Sequence, residues 1–143
     1  MGENIQYCLD TNIVSDFLRN RDDVVQYLHD ATVNGCGIYI PSIVYYEITR
    51  GYLATQSWHR LSGFTTFFQS LKRLPLEMGN LKVLDQAAKI YDELHRGKQI
   101  EDNDIYIAAL AMVNGCILVT DNWKHFGRIT GLKLTNWRNA NMT

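Results

Sequence analysis

The sequence predicts an α/β fold, a parallel sheet covered by helices on both faces. Short runs rich in strand formers, Ile5 to Leu9, Ile38 to Ile40 and Cys116 to Val119, are apolar but for Gln6 instead of alternating, as strands buried on both faces must be. Longer stretches with helical spacing of apolar residues separate them. Two of the runs stop directly at turn-forming triplets that contain an aspartate, Asp10-Thr11-Asn12 and Thr120-Asp121-Asn122.

In chain order, Ile13 to Leu18 and then Val24 to Val33 carry helical spacing, with Asp22 and Asp23 near the start of the second, where the helix dipole favours acids. The strand Ile38 to Ile40 stops at Pro41, and Ser42 is the expected cap of a helix over Ile43 to Leu53. Leu61 to Leu71 reads as a further helix and Arg73 to Leu76 as a short third strand. Leu81 to Leu94 places its apolar residues on one face, and Gly97 is its expected stop. Asp102-Asn103 is the expected cap of a strongly apolar helix, Ile105 to Val113, which closes at Asn114-Gly115. Cys116 to Val119 supplies the fourth strand and Leu132 to Leu134 a fifth.

A chain of 143 residues without repeats or low-complexity tracts implies one domain over 1–143. An apolar share of 46% and a charged share of 20% exclude the disordered, collagen-like and membrane classes. No apolar run approaches the roughly 18 to 20 residues of a membrane span. Met1-Gly2-Glu3-Asn4 lacks the basic stretch and apolar core of a secretory signal, so the expected location is the cytoplasm. Cys8, Cys36 and Cys116 are an odd number without CxxC spacing, and they read as reduced core residues. Val24, Val25, Tyr27, Leu28, Phe64, Phe67 and Phe68 are assigned mainly to the core, with a groove or dimer face as the alternative for some. The net charge of −1 is unpromising for a nucleic-acid binder. If four of the 15 acids gather in one pocket, however, the remaining surface carries 14 basic against 11 acidic residues, and a phosphate backbone is acceptable again.

Ligands of parallel sheets bind beyond the carboxyl ends of the strands, which puts Asp10 and Asp121 on one edge. Each has a simpler reading, Asp10 as a helix cap and Asp121 as a turn residue, but two such acids at one edge would repel without a cation. Glu47 is set among Ile43, Val44, Tyr45, Tyr46 and Ile48, where a carboxylate needs a partner. Such a glutamate is ion-paired, with Arg50 three residues on, exposed at a helix edge, or holding a metal or its water. Asp104 opens the apolar helix with Asp102 close by, so one of the two is surplus to capping. Oxygen-only ligation selects Mg²⁺ or Mn²⁺ over zinc. His29, His59, His95 and His125 lack metal-motif spacing and are expected at the surface.

Cys8-Leu9-Asp10-Thr11-Asn12, Pro41 to Glu47, Asp102-Asn103-Asp104-Ile105-Tyr106-Ile107-Ala108-Ala109, and Leu118 to Asn122 continuing through Phe126 and Gly131-Leu132 to Trp137 together resemble the PIN-domain ribonucleases, and more closely the VapC toxins of toxin–antitoxin pairs. The resemblance spans nearly the whole chain. It implies a PIN-like three-layer α/β/α sandwich, Mg²⁺ or Mn²⁺ dependence, hydrolysis of RNA, a homodimer, and a higher assembly with an antitoxin called VapB. By position, Asp10, Glu47 and Asp104 fall on the family's three most regular acids, with Asp10 and Asp104 on its principal metal ligands. The fourth acid of many members stands where this chain has Asn122, and Asp121 comes one residue earlier; Asp121 is the residue expected to complete the four catalytic and metal-binding acids. Thr11, Asn12, Thr120 and Asn122 flank the acids as hydrogen-bond partners. Arg50, Arg60, Lys124 and Arg128 are candidate phosphate contacts.

Three alternatives stand beside this reading. A phosphatase of the haloacid-dehalogenase kind needs a second acid where Asn12 stands, and a receiver domain needs adjacent acids early in the chain. A catalytically silent binding module would use the acids as caps and surface partners only.

Overall fold

A computed structural model describes residues 4–77, 79, 81–94 and 97–138. Five parallel strands form one sheet: β1 (Gln6–Leu9), β2 (Gly37–Pro41), β3 (Lys72–Leu74), β4 (Ile117–Val119) and β5 (Leu134–Thr135), in the order β3-β2-β1-β4-β5. The chain builds outward from β1 to β3, then returns past β1 to lay down β4 and β5. β1 is therefore the point where strand order reverses, the place at which such sheets open a crevice. Right-handed crossovers before and after the reversal put their helices on opposite faces, which gives the three-layer sandwich.

The connecting helices are α1 (Thr11–Leu18), α2 (Asp22–Val33), α3 (Ser42–Ala54), α4 (Trp58–Gln69), α5 (Leu81–Leu94), α6 (Asp102–Val113) and α7 (Trp123–Phe126). None in the described residues is long and apolar enough to cross a membrane. Cys8, Leu9, Ile38, Ile40, Leu118 and Val119 are buried at the centre of the sheet, and Ile13, Val14, Val44, Phe64, Ile90 and Ile107 pack onto it from the helices. α6 is buried on nearly every side, from Ile105 to Ala111, and for this reason its sequence is apolar without a polar stripe. The three cysteines are free thiols, with Cys8 and Cys116 buried. Val24, Leu28, Phe64 and Phe68 are buried, while Tyr27 is exposed.

Several element ends differ from expectation. β1 begins at Gln6, leaving Ile5 exposed. α3 starts at Ser42 itself, with Pro41 at the cap position and no side-chain cap bond. Nor do Asp102 and Asn103 cap α6: the boundary residue is Glu101, and Asp102 and Asp104 both lie in the first turn, where their charge suits the dipole. α4 starts at Trp58, three residues earlier than its apolar spacing indicates, because Ser57 already takes the boundary position. β3 spans Lys72–Leu74 instead of 73–76. β5 is shifted to Leu134–Thr135 because Gly131, with φ of +86°, turns the chain first and Leu118 N–H pairs with the Lys133 carbonyl. α7 has only four residues, too few for periodicity to register. α5 ends at Leu94, and His95 lies outside the described residues.

Phe64 tests the packing. It is fully buried and its ring meets those of Tyr45, Tyr52 and Phe68. Phe64→Ala is expected to cost about 3 to 5 kcal/mol in urea unfolding; a loss below about 1 kcal/mol would contradict this account of the core.

Candidate active site

Because β1 and β4 are adjacent and parallel, the residues after them emerge side by side. The Asp10 N–H donates to the Val119 carbonyl at 3.0 Å, which continues the ladder one step past the strand. Thr120 Oγ1 donates to Asp10 Oδ2 at 2.7 Å, and the Thr11 N–H donates to Asp10 Oδ1 at 2.8 Å. Asp10 is thus both the N-cap of α1 and the acid at the crevice, so the two readings of it are compatible. Only 4% of its surface is exposed.

Glu47 comes from the second turn of α3 and accepts a 2.8 Å bond from Thr11 Oγ1. Thr11 therefore ties two acids together, Asp10 through its backbone and Glu47 through its hydroxyl. Arg50 does not form the expected pair with Glu47; its guanidinium lies over the Tyr46 ring, 5.1 Å from the centroid. Asp104, in the first turn of α6, has Oδ2 3.3 Å from His125 Nδ1, and Asn122 Nδ2 is 2.9 Å from the same nitrogen. His125 is accordingly half-buried at the site and not a free surface histidine, which corrects the expectation for it. His29 and His59 are exposed as expected.

Asp121 reaches the same edge with both oxygens already engaged. Arg138 Nη1 donates to Oδ2, and Asn12 Nδ2 donates to Oδ1 at 3.3 Å. Asn122 points to the His125 side, and its backbone N–H donates to Thr120 Oγ1 at 3.0 Å. Sequence reasoning missed Arg138 and Asp16, its second partner. Asp16 sits among Ile13, Val14, Phe17 and Leu18, and an acid inside an apolar run signals a hidden cation partner as Glu47 signals a hydroxyl.

The electrostatics follow from the geometry. Burial pushes the Asp10 carboxyl up from 3.8 to about 6, against the lowering effect of the Thr120 and Thr11 hydrogen bonds, and repulsion from Asp104 and Glu47 adds to the rise. Asp104 is raised as well, first by desolvation and then by Glu47, with the His125 contact opposing. Among the described residues no Lys or Arg side chain forms an ion pair with Asp10, Glu47 or Asp104. Three oxygen-donor acids that repel one another match a hard divalent ion in donor type and charge. The match is one of chemistry: among the described residues, no group of three or more His, Cys, Asp or Glu side chains is placed so that it could hold a metal ion as it stands. Beside Thr11 and Glu47 opens a cleft of about 300 Å³, lined also by Ser15, Arg19 and Arg60. A larger one of about 570 Å³, lined by Phe17, Tyr52 and Phe64, shares Arg19 and Arg60 with it.

The PIN domain profile matches residues 7–132. Ribonuclease VapC2 of Haemophilus influenzae is 32% identical over 134 residues, covering 93% of this chain and 98% of that protein. The chain belongs to the VapC family of PIN domains. Ribonuclease VapC2 of Rickettsia felis is 30% identical over 139 residues, 92% of this chain and 97% of the relative. In three dimensions this PIN domain superposes on VapBC2 from Rickettsia felis, solved bound to a DNA fragment from their promoter, with a TM-score of 0.83 and 29% identity over 94% of this chain and all of that one. VapBC from Salmonella typhimurium, also solved bound to DNA, shares the fold with a TM-score of 0.81 at 24% identity over 94% and 99% of the two chains. Membership in this family displaces the phosphatase and receiver alternatives.

The raised Asp10 carboxyl sets a pH dependence for the ion-free protein. Between about pH 4 and pH 6 the folded state keeps a proton that the unfolded chain has released, so stability falls as pH rises through that window. Asp10→Asn removes the cost. A rise from 3.8 to about 6 corresponds to roughly 3 kcal/mol, so the variant is expected to melt several degrees higher than the wild type at pH 7.5 in EDTA. Calorimetry that finds the variant less stable would contradict the assignment.

Proposed function

We propose that this chain is the toxin of a type II toxin–antitoxin pair, an endoribonuclease that hydrolyses RNA phosphodiester bonds with Mg²⁺ or Mn²⁺ and thereby inhibits translation or growth. The observation that carries the proposal is the grouping of Asp10, Glu47 and Asp104 at the strand-order reversal without an ion-pairing Lys or Arg among the described residues. The ribonuclease name of its relatives supports the substrate. The VapBC neighbour bound to promoter DNA supports a VapB-type antitoxin as partner and a higher assembly built with it. A homodimer working in the cytoplasm completes the reading.

Asp10 and Asp104 would hold the ion, which when bound supplies charge neutralisation at the phosphoryl group and lowers the pKa of water. Asp10 is fixed for this by the Thr120 hydroxyl and the Thr11 N–H, so its orientation is set before substrate arrives. Glu47, held by the Thr11 hydroxyl, is the acceptor that aligns the attacking water and takes its proton. The water oxygen forms a bond to phosphorus, the bridging P–O bond opposite breaks, and the leaving oxygen takes up a proton. The His125 ring contacts Asp104 from the other side, and Asn122 contacts that ring in turn. Arg50 and Lys124 are exposed and suited to phosphate contact, as are Arg19 and Arg60 in the adjoining cleft. Arg128 also donates to the Lys98 carbonyl, so part of its guanidinium is already used.

The test is incubation of Mn²⁺-loaded protein with total cellular RNA, followed by mapping of new ends. Discrete cuts are expected, abolished by EDTA and lowered at least about 100-fold in Asp10→Asn and in Asp104→Asn. Cleavage by either variant at the wild-type rate would refute the mechanism. A catalytically silent module would give no new ends, and Mn²⁺ would leave its melting temperature unchanged.

A further inference from the structure

We propose that Arg138 is a positioning residue that withdraws the fourth acid from ion binding: it neutralises Asp121 from within the fold, so the crevice takes one divalent ion, held by Asp10 and Asp104 with Glu47 beside it. The inference rests on the metal reading above and extends it to stoichiometry.

The argument starts from how Arg138 is held. Its Nε and Nη2 donate to Asp16 Oδ2 and Oδ1 at 2.6 and 3.0 Å, a two-pronged match between guanidinium and carboxylate. Nη1 is left for Asp121 Oδ2. Asp16 is 6% exposed on α1, so departure of the guanidinium would strand a buried carboxylate, which is strongly unfavourable. The backbone is anchored too. Trp137 is 2% exposed, with Tyr7 at 5.3 Å edge-on and Tyr27 stacked at 6.1 Å, and the Arg138 N–H donates to Asn136 Oδ1 at 2.9 Å.

Asp121 therefore meets a permanent cation on one oxygen and the Asn12 amide on the other. The other three acids are treated differently. Among the described residues, Asp10 accepts only from neutral donors, Glu47 from the Thr11 hydroxyl, and Asp104 contacts the His125 ring. A divalent ion seated on Asp121 would face the guanidinium across a single carboxylate, and like charges at that spacing repel. Asp16 and Arg138 thus convert an acid at the catalytic edge into a strut that ties α1, the end of β4 and the segment after β5 together.

Mn²⁺ binding, read by isothermal titration and by the EPR signal of free Mn²⁺, tests this without reference to activity. The wild type is expected to bind one ion, and Asp121→Asn to bind one with a Kd within about twofold of wild type. Because Arg138→Gln alone strands Asp16, the informative variant is Asp16→Asn/Arg138→Gln, which frees Asp121 and is expected to bind a second ion. Adding Asp121→Asn to that pair is expected to return the count to one. Arg138→Lys, which keeps the charge, is expected to stay at one. Two ions in the wild type, a Kd weakened tenfold or more in Asp121→Asn, or a single ion in Asp16→Asn/Arg138→Gln would overturn the inference while leaving the metal reading intact. No Mn²⁺ binding by any of these proteins would overturn both.

Discussion

The hydrogen bond from Thr120 to Asp10 joins the ends of two parallel strands at the point where the sheet reverses its order. Strand pairing brings these residues together: β1 and β4 are in register from Tyr7 with Ile117 to Leu9 with Val119, and one further step puts Asp10 beside Thr120. The core beneath them dictates their burial. An aspartate fixed there is nearly dry, and its charge is unfavourable unless something positive arrives. The fold thus stores an electrostatic cost at one place, and the chemistry of the site follows from how that cost can be relieved.

The chain handles its buried and half-buried acids in two ways. Asp16 and Asp121 are answered from inside by Arg138, and Asp23 by Arg21. Asp10, Glu47 and Asp104 receive hydroxyl, amide and imidazole contacts that orient them without an Arg or Lys partner among the described residues. Orientation without neutralisation suits ligands awaiting a cation. Complete internal pairing suits a structural bridge. The same residue types serve both ends, and the difference lies in the charge of the partner.

This division also explains which parts were legible in the sequence. The sheet was legible because strands buried on both faces must be apolar throughout, and Leu9 and Val119 leave no ambiguity about where those runs stop. Asp10 and Asp121 follow from the stops, and Glu47 from its apolar surroundings. Cap chemistry was less legible, since Glu101 and Pro41 hold boundary positions without a side-chain bond while Ser42 and Asp102 fall inside their helices. Arg138 and His125 escaped because their partners are distant in the chain: Arg138 meets Asp16 across 122 positions and His125 meets Asp104 across 21. Nothing local marks such residues. The signal was on the other side, in Asp16, whose place in an apolar stretch required a cation from somewhere.

The most direct test of the central claim is the ionisation of Asp10 itself, followed by ¹³C NMR of its side-chain carboxyl as a function of pH, with and without Mg²⁺. The account predicts a midpoint near 6 in the ion-free protein, moving down by more than one pH unit when saturating Mg²⁺ is added. A midpoint near 4 that Mg²⁺ leaves unmoved would contradict it.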